Sequence, residues 1–386
     1  MLKKTAYTLL ALVLLFGLLM LNTGFQKRVK KTGRSLVYRY NGLFHNETSW
    51  LLHSEMGHGY NLVTAKLLSP AFKIDRIYKS MRGPLDQHLF KLTHTGSDSL
   101  VWIKSYSVEV LDHQGKDSRP LDFMCHNNLD FNAAEYIRRM GFTGRTDLYN
   151  TRLITLTEGQ SLFELPDGFG LPVFSDQLLT VQCQALNLNK NPVNLSIRHM
   201  TSIGFYQNVD AASLKPLFTQ NIYITVPVSG NPAGICANGE CLPALAKPEL
   251  QQKGDLKYTG HWIIKTGRDT FRSEVTPLLN LPFTTTVHYI GAHVHPFAET
   301  LTLRDLTTGE VLFTAHMQNC IEKIGLEKIE HYSSSQGIPI FADHKYEMIC
   351  TTNNTSGTDQ DMMATMFLYM YDKELDQKLH QKRTGP

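Results

Sequence analysis

The 386 residues carry 38 Lys+Arg against 35 Asp+Glu, a formal net charge of +3. With 42% apolar and 19% charged residues, the composition excludes a disordered or collagen-like chain. The length suffices for two to three domains of about 150 residues.

The charge is unevenly placed. Residues 1–34 hold Lys3, Lys4, Lys27, Arg28, Lys30, Lys31 and Arg34 and no acid, so the body from Ser35 onward is net −4. A basic excess confined to one terminal segment argues against a nucleic-acid surface.

Residues 5–26 are uncharged and mostly apolar. A helix of about 20 apolar residues crosses a hydrocarbon core of about 30 Å. No small-residue cleavage site follows, which favours an uncleaved anchor in membrane lipid over a signal peptide. The expected organisation is an anchor with its basic flank over 1–34 and a juxtamembrane segment over 35–72. Two β-sandwiches follow, over 73–207 and 208–373, and then a polar tail over 374–386.

The body predicts a mainly β fold, built as two tandem antiparallel, jelly-roll-like sandwiches. Residues 99–110, 178–188, 221–229 and 283–295 are rich in β-branched and aromatic types. Turn formers at 166–170 and 307–310 punctuate the chain. Residues 230–260 read as a long loop. Helical patterns are short, over 132–140 and 373–382. Cys125, Cys183, Cys236, Cys241, Cys320 and Cys350 suit either disulfides in an oxidising compartment or buried free thiols. Cys236 and Cys241, flanking a turn-like tetrapeptide, are the best local pair.

The chemistry centres on His293-Val294-His295. In a strand, residues i and i+2 share a face, so two imidazoles can hold one metal. A second element, residues 361–371, reads as a strand. Met362, Ala364, Met366, Leu368 and Met370 share one face, and Met363, Thr365, Phe367, Tyr369 and Tyr371 share the other. The bland role is a core strand. The sharper one makes Met362 a thioether ligand, and a His-His-Met set suits a redox-cycling copper. No P-loop, nucleophile-elbow or dinucleotide motif is present.

Lys79-Ser80-Met81-Arg82-Gly83-Pro84, the Leu165–Gly170 turn with the following 179–184 segment, His293-Val294-His295, and Cys350 followed by Asp361-Met362 together resemble the copper type II, ascorbate-dependent monooxygenases. That is the family of peptidylglycine α-hydroxylating monooxygenase and dopamine β-monooxygenase. The resemblance implies two β-sandwiches with a copper each, and His293, His295 and Met362 as ligands and catalytic residues of the second copper. It implies a degenerate first site, where His126 survives and Gln184 stands at a family His. It leaves Cys350 without its family partner, with Cys320 as the substitute. It also implies O2-dependent hydroxylation of a substrate other than peptidylglycine, with an external reductant such as ascorbate.

The expected function is therefore a membrane-anchored copper monooxygenase-like protein. The alternatives are a non-catalytic copper protein for sensing, delivery or storage, and a structural accessory subunit of a membrane assembly. The substrate is an unidentified small molecule or protein, and the degenerate first site calls for an outside electron donor, with a membrane-protein partner or electron donor among the expected partners. Basic residues after the anchor weakly favour a cytoplasmic body. Copper chemistry with paired cysteines outweighs this and predicts an extracytoplasmic one.

Overall fold

The computed structural model describes residues 53–57, 60–78, 80–93, 99–142, 145, 151–189, 194–207, 213–227, 252–253 and 256–384. Strands dominate, arranged in several sheets. A long sheet runs in the order His53–Gly57, Tyr60–Leu68, Leu195–Gln207, Leu100–Asp112, Phe169–Phe174, Lys215–Tyr223, Ala364–Tyr371, Thr285–Val294 and Tyr332–Ile340. Its two parts meet at a short parallel pairing, Phe169↔Lys215 and Gly170↔Pro216.

Two further sheets matter for the site. One orders Leu85–Phe90, Leu179–Ala185, Met124–Phe131 and Arg152–Thr157. The other orders Gly267–Glu274, Tyr346–Asn354, Ala298–Asp305, Val311–Asn319 and Leu326–Ile329. The alternation is plain in Tyr346–Asn354, where Tyr346, Met348, Cys350, Thr352 and Asn354 are buried and the residues between are less so. A period of two puts alternate side chains on one face, and one face of this strand meets the core.

The apolar residues form two clusters. The first gathers residues such as Ala65, Trp102, Tyr106, Leu129, Ile154 and Phe205. The second gathers Ile222, Trp262, Ile290, Leu301, Met348 and Met366. Ala364–Tyr371 is buried along nearly its whole length because it belongs to both. Ala364, Met366, Leu368 and Met370 join the second cluster, while Phe367 and Tyr369 join the first. A strand buried on both faces reads as a continuous apolar run, and this one does.

Polar contacts fasten the seam between the clusters. Gln160 donates to the Tyr289 hydroxyl at 2.7 Å, and the Tyr369 hydroxyl donates to the Leu153 carbonyl at 2.9 Å. Phe163 packs edge-on against Tyr289, with ring centroids 4.7 Å apart. Asn189 exchanges two hydrogen bonds with the Ile324 backbone, at 2.7 and 2.8 Å.

Several expectations need correction. Residues 60–68, placed in a juxtamembrane segment outside the core, form an internal strand with Val63, Ala65 and Leu67 in the first cluster. The helix expected over 373–382 forms at Lys373–Thr384, but the tail read as polar buries Leu375 and Leu379. Cys125, Cys183, Cys320 and Cys350 are free thiols, so a Cys350–Cys320 bond is absent. Cys350 points into the second core, while Cys320 is half-buried at the end of Val311–Asn319. The Cys236/Cys241 pair and most of the 230–260 loop lie outside the described residues. No helix among the described residues is long and apolar enough to cross a membrane. Residues 5–26 themselves lie outside the described residues.

Arg145 makes a bidentate ion pair with Asp372, at 3.2 Å, and both side chains are buried. Asp372 also accepts from the Leu375 backbone at 3.0 Å, fixing the first turn of the C-terminal helix. Removing one partner of a buried pair strands the other charge. Asp372→Ala is expected to lower stability by about 3 kcal/mol in urea unfolding. A loss within about 0.5 kcal/mol, the range of an ordinary surface substitution, would contradict that account.

Candidate functional site: a histidine–aspartate cluster in the seam

Three short pieces of chain build the site. Trp262–Ile264 pairs antiparallel with Gln360–Met362, and the register sets Trp262 opposite Met362 and Ile263 opposite Asp361. His261 immediately precedes the first strand, so it lies beside Asp361. His293 is the penultimate residue of Thr285–Val294, and His295 follows that strand's end. Pro296 and Phe297 turn the chain there, with Phe297 at a φ of 77°. A left-handed backbone at a bulky residue costs energy and needs a surrounding structure that enforces it.

The Asp361 carboxylate organises the cluster. Its Oδ2 lies 3.1 Å from His261 Nε2 and 3.1 Å from His295 Nδ1. His295 Nδ1 also lies 3.2 Å from the Asp361 carbonyl oxygen. On its other edge, His295 Nε2 lies 3.0 Å from Ser80 Oγ. The His261 and His295 rings stand perpendicular, with centroids 5.3 Å apart. His261, His295 and Asp361 each present one ligand atom, and these atoms lie within 4.8 Å of one another.

Burial governs the electrostatics. Burial alone would raise the Asp361 carboxyl, but His295 and His261 beside it hold it well below the usual carboxylate range. Burial pushes His261 down despite the hydrogen bond it donates to Asp361, so its ring is neutral at neutral pH. His293 is pushed well down, first by burial and then by His295 and His126. Neutral imidazoles beside a carboxylate are the protonation states that a metal requires.

His293, His295 and Asp361 line a partly open cleft, together with Ser80, Cys125, Glu158, Leu186, Leu188, Ile324 and Leu326. Burial raises the Cys125 thiol to about 11. Burial, then the nearby Asp122 charge, raises the Glu158 carboxyl to about 8, so it is largely protonated at neutral pH.

The expected ligands are placed as follows. His293 and His295 come together, with ring centroids 5.5 Å apart. His293 Nδ1 is buried without a hydrogen-bond partner. Met362 is fully buried in the second apolar cluster and is not among the residues lining the cleft. His126 is buried in Met124–Phe131, directly across the ladder from Gln184, and burial followed by Arg152 pushes it to about 3. Sequence reasoning missed His261, Asp361 and Ser80. Asp361 adjoins Met362, and Ser80 lies in a quoted segment, but neither carries a metal or catalytic spacing. His261 lies 100 positions from Asp361.

No family model and no curated protein matches the chain. Similar solved structures are viral capsid proteins. The STIV MCP shares 9% identity over 82% of this chain and 98% of its own, at a TM-score of 0.35. PBCV-1 VP54, fitted into a reconstruction of the virophage Sputnik, shares 8% identity over 83% and 97%, at 0.29. VP2 of the infectious bursal disease virus subviral particle shares 10% over 89% and 79%, at 0.20. At such TM-scores these likenesses carry no argument about what the chain does. The absence of any matching family model corrects the resemblance to copper type II monooxygenases. That family, and the O2-dependent hydroxylation drawn from it, is set aside.

Glu158 gives this region a pH signature. Between the ordinary carboxyl value of 4.5 and about 8, the folded chain keeps a proton that the unfolded chain has released. Stability from this group is therefore full below 4.5 and falls as pH rises, by at most about 1.4 kcal/mol per unit. Glu158→Gln is expected to flatten the decline in urea unfolding free energy between pH 5 and 8. An unchanged slope would contradict the assignment.

Proposed function

We propose that the chain is a metal-fastened structural β protein. In this reading two tandem antiparallel sandwiches, one around each apolar cluster, are joined at a seam where His261, His295 and Asp361 hold one divalent transition-metal ion. The observation that carries it is the single carboxylate oxygen set 3.1 Å from a nitrogen of each of two imidazoles. Two ligand atoms about 2.05 Å from a shared ion lie about 3.1 Å apart when the angle between them is about 98°, between octahedral and tetrahedral values.

The donor set constrains the ion. Imidazole suits zinc, copper, iron and nickel, whereas a carboxylate adds a harder ligand and no thioether. Zinc fits best, and divalent copper, the ion expected from the sequence, remains in the same class. His293, beside His295 and with an unpartnered Nδ1, is the reserve donor. The Ser80 hydroxyl against His295 Nε2 supplies the outer hydrogen bond that orients a ligating ring. Because Ser80 and His295 come from sequence-distant halves of the chain, an ion on His295 would stabilise their junction.

Calorimetric titration of the full chain with zinc, with the thermal midpoint followed in parallel, tests this. One ion per chain and a raised midpoint are expected, the gain approaching about 2.7 kcal/mol when free zinc is a hundred times its dissociation constant. His261→Ala, His295→Ala and Asp361→Asn should each weaken binding by about a hundredfold or more, and Met362→Leu should leave it unchanged. Undiminished affinity in Asp361→Asn, or no uptake by the wild type, would refute the proposal.

A further inference from the structure

Ser80, His295 and Asp361 form a continuous hydrogen-bonded line across the cleft. Ser80 Oγ lies 3.0 Å from His295 Nε2, and His295 Nδ1 lies 3.1 Å from Asp361 Oδ2. The ionised carboxylate can only accept. In the metal-free chain the ring therefore carries its proton on Nδ1, and Nε2 is left as an acceptor. The one donor it meets there is the Ser80 hydroxyl. A nucleophile in reach of a base, with that base oriented by a third group, is the arrangement that activates a serine.

The segment carrying Ser80 is held rigidly. Met81, next in sequence, has a φ of 61°. Its backbone N–H donates to Cys125 Sγ at 3.5 Å, and Ser80 Oγ lies 3.8 Å from the same sulfur. Gly83 sits so close to the next strand that a Cβ there would be 1.9 Å from the Ala185 carbonyl oxygen. Pro84 accepts from the Ala185 backbone at 2.9 Å, and Gly83 accepts from Gln184 at 3.2 Å. A strained turn pinned on both sides is how a nucleophile is kept aimed at a cleft.

We infer that Ser80 is an activated nucleophile for small acyl esters in the metal-free chain, with His295 as its base and Asp361 as the group that orients the base. Ser80 Oγ bonds to the acyl carbon and its proton passes to His295 Nε2. The ester C–O bond breaks, and the alcohol leaves with that proton. Water then attacks the acyl-serine with His295 again accepting the proton, which releases the carboxylic acid and restores Ser80. Leu186, Leu188, Ile324 and Leu326 around the cleft favour an apolar acyl group. The inference rests on the hydrogen bonds and not on metal binding. A metal on Nδ1 would place the ring proton on Nε2 and leave Ser80 without its base.

The probe is an alkyl fluorophosphonate, applied to chelator-treated full-length protein, with adducts mapped by mass spectrometry. Its phosphorus bonds to Ser80 Oγ as the P–F bond breaks. A Ser80 adduct is expected in the wild type. Ser80→Ala should give no adduct there. His295→Gln and Asp361→Asn, checked for native circular dichroism, should slow labelling by about a hundredfold. No Ser80 adduct in natively folded chelated wild type, or labelling in His295→Gln at the wild-type rate, overturns the inference. Zinc uptake is measured separately, so failure of the serine and failure of the metal site give different results.

Discussion

The seam depends on one largely desolvated carboxylate. Taking a charged group out of water costs several kcal/mol unless partners satisfy it. Asp361 meets that requirement through His261 and His295, both on the same oxygen. His295 carries the constraint onward to Ser80 in the other half of the chain. Four residues that are remote in sequence are thereby fixed by one local electrostatic demand. Loss of the carboxylate would leave two buried imidazoles facing each other with no acceptor between them.

The fold makes that demand enforceable. Ala364–Tyr371 is buried on both faces, so the chain entering it at Asp361 has little freedom to move. Trp262–Ile264 pairs with that entry and carries His261 to it. The turn at Pro296 and Phe297 brings His295 up from the neighbouring strand, and the Phe297 backbone N–H donates to the Asn319 side chain at 2.6 Å. Strain at Met81 and at Phe297 brackets the cleft from both sides. Such strain persists where surrounding contacts over-determine the backbone.

Much of the fold was legible. The alternation over 364–371 assigned each residue to its correct face, because a half-and-half split of apolar types at period two has one structural solution. The short helix expected over 132–140 forms at Ala133–Met140, where Asn132 caps it by accepting from Glu135 at 3.1 Å and Gly141 ends it. The candidate site was only half legible. His293-Val294-His295 announces itself by spacing, but Asp361 and His261 meet through strand register across 100 positions. No local pattern encodes that pairing. The methionine ligand was drawn from thioether chemistry at the start of a strand and from a family resemblance that no family model supports. Met362 takes a place in the second core, and its polar neighbour faces the imidazoles. Residues 60–68 were misplaced because they were grouped with the flank that follows the apolar N-terminal run.

Anomalous diffraction from crystals of the full chain grown with zinc tests the central claim most directly. The account predicts one peak lying about 2.0–2.2 Å from Asp361 Oδ2, His261 Nε2 and His295 Nδ1. A zinc peak elsewhere, or none within bonding reach of that carboxylate, would contradict it.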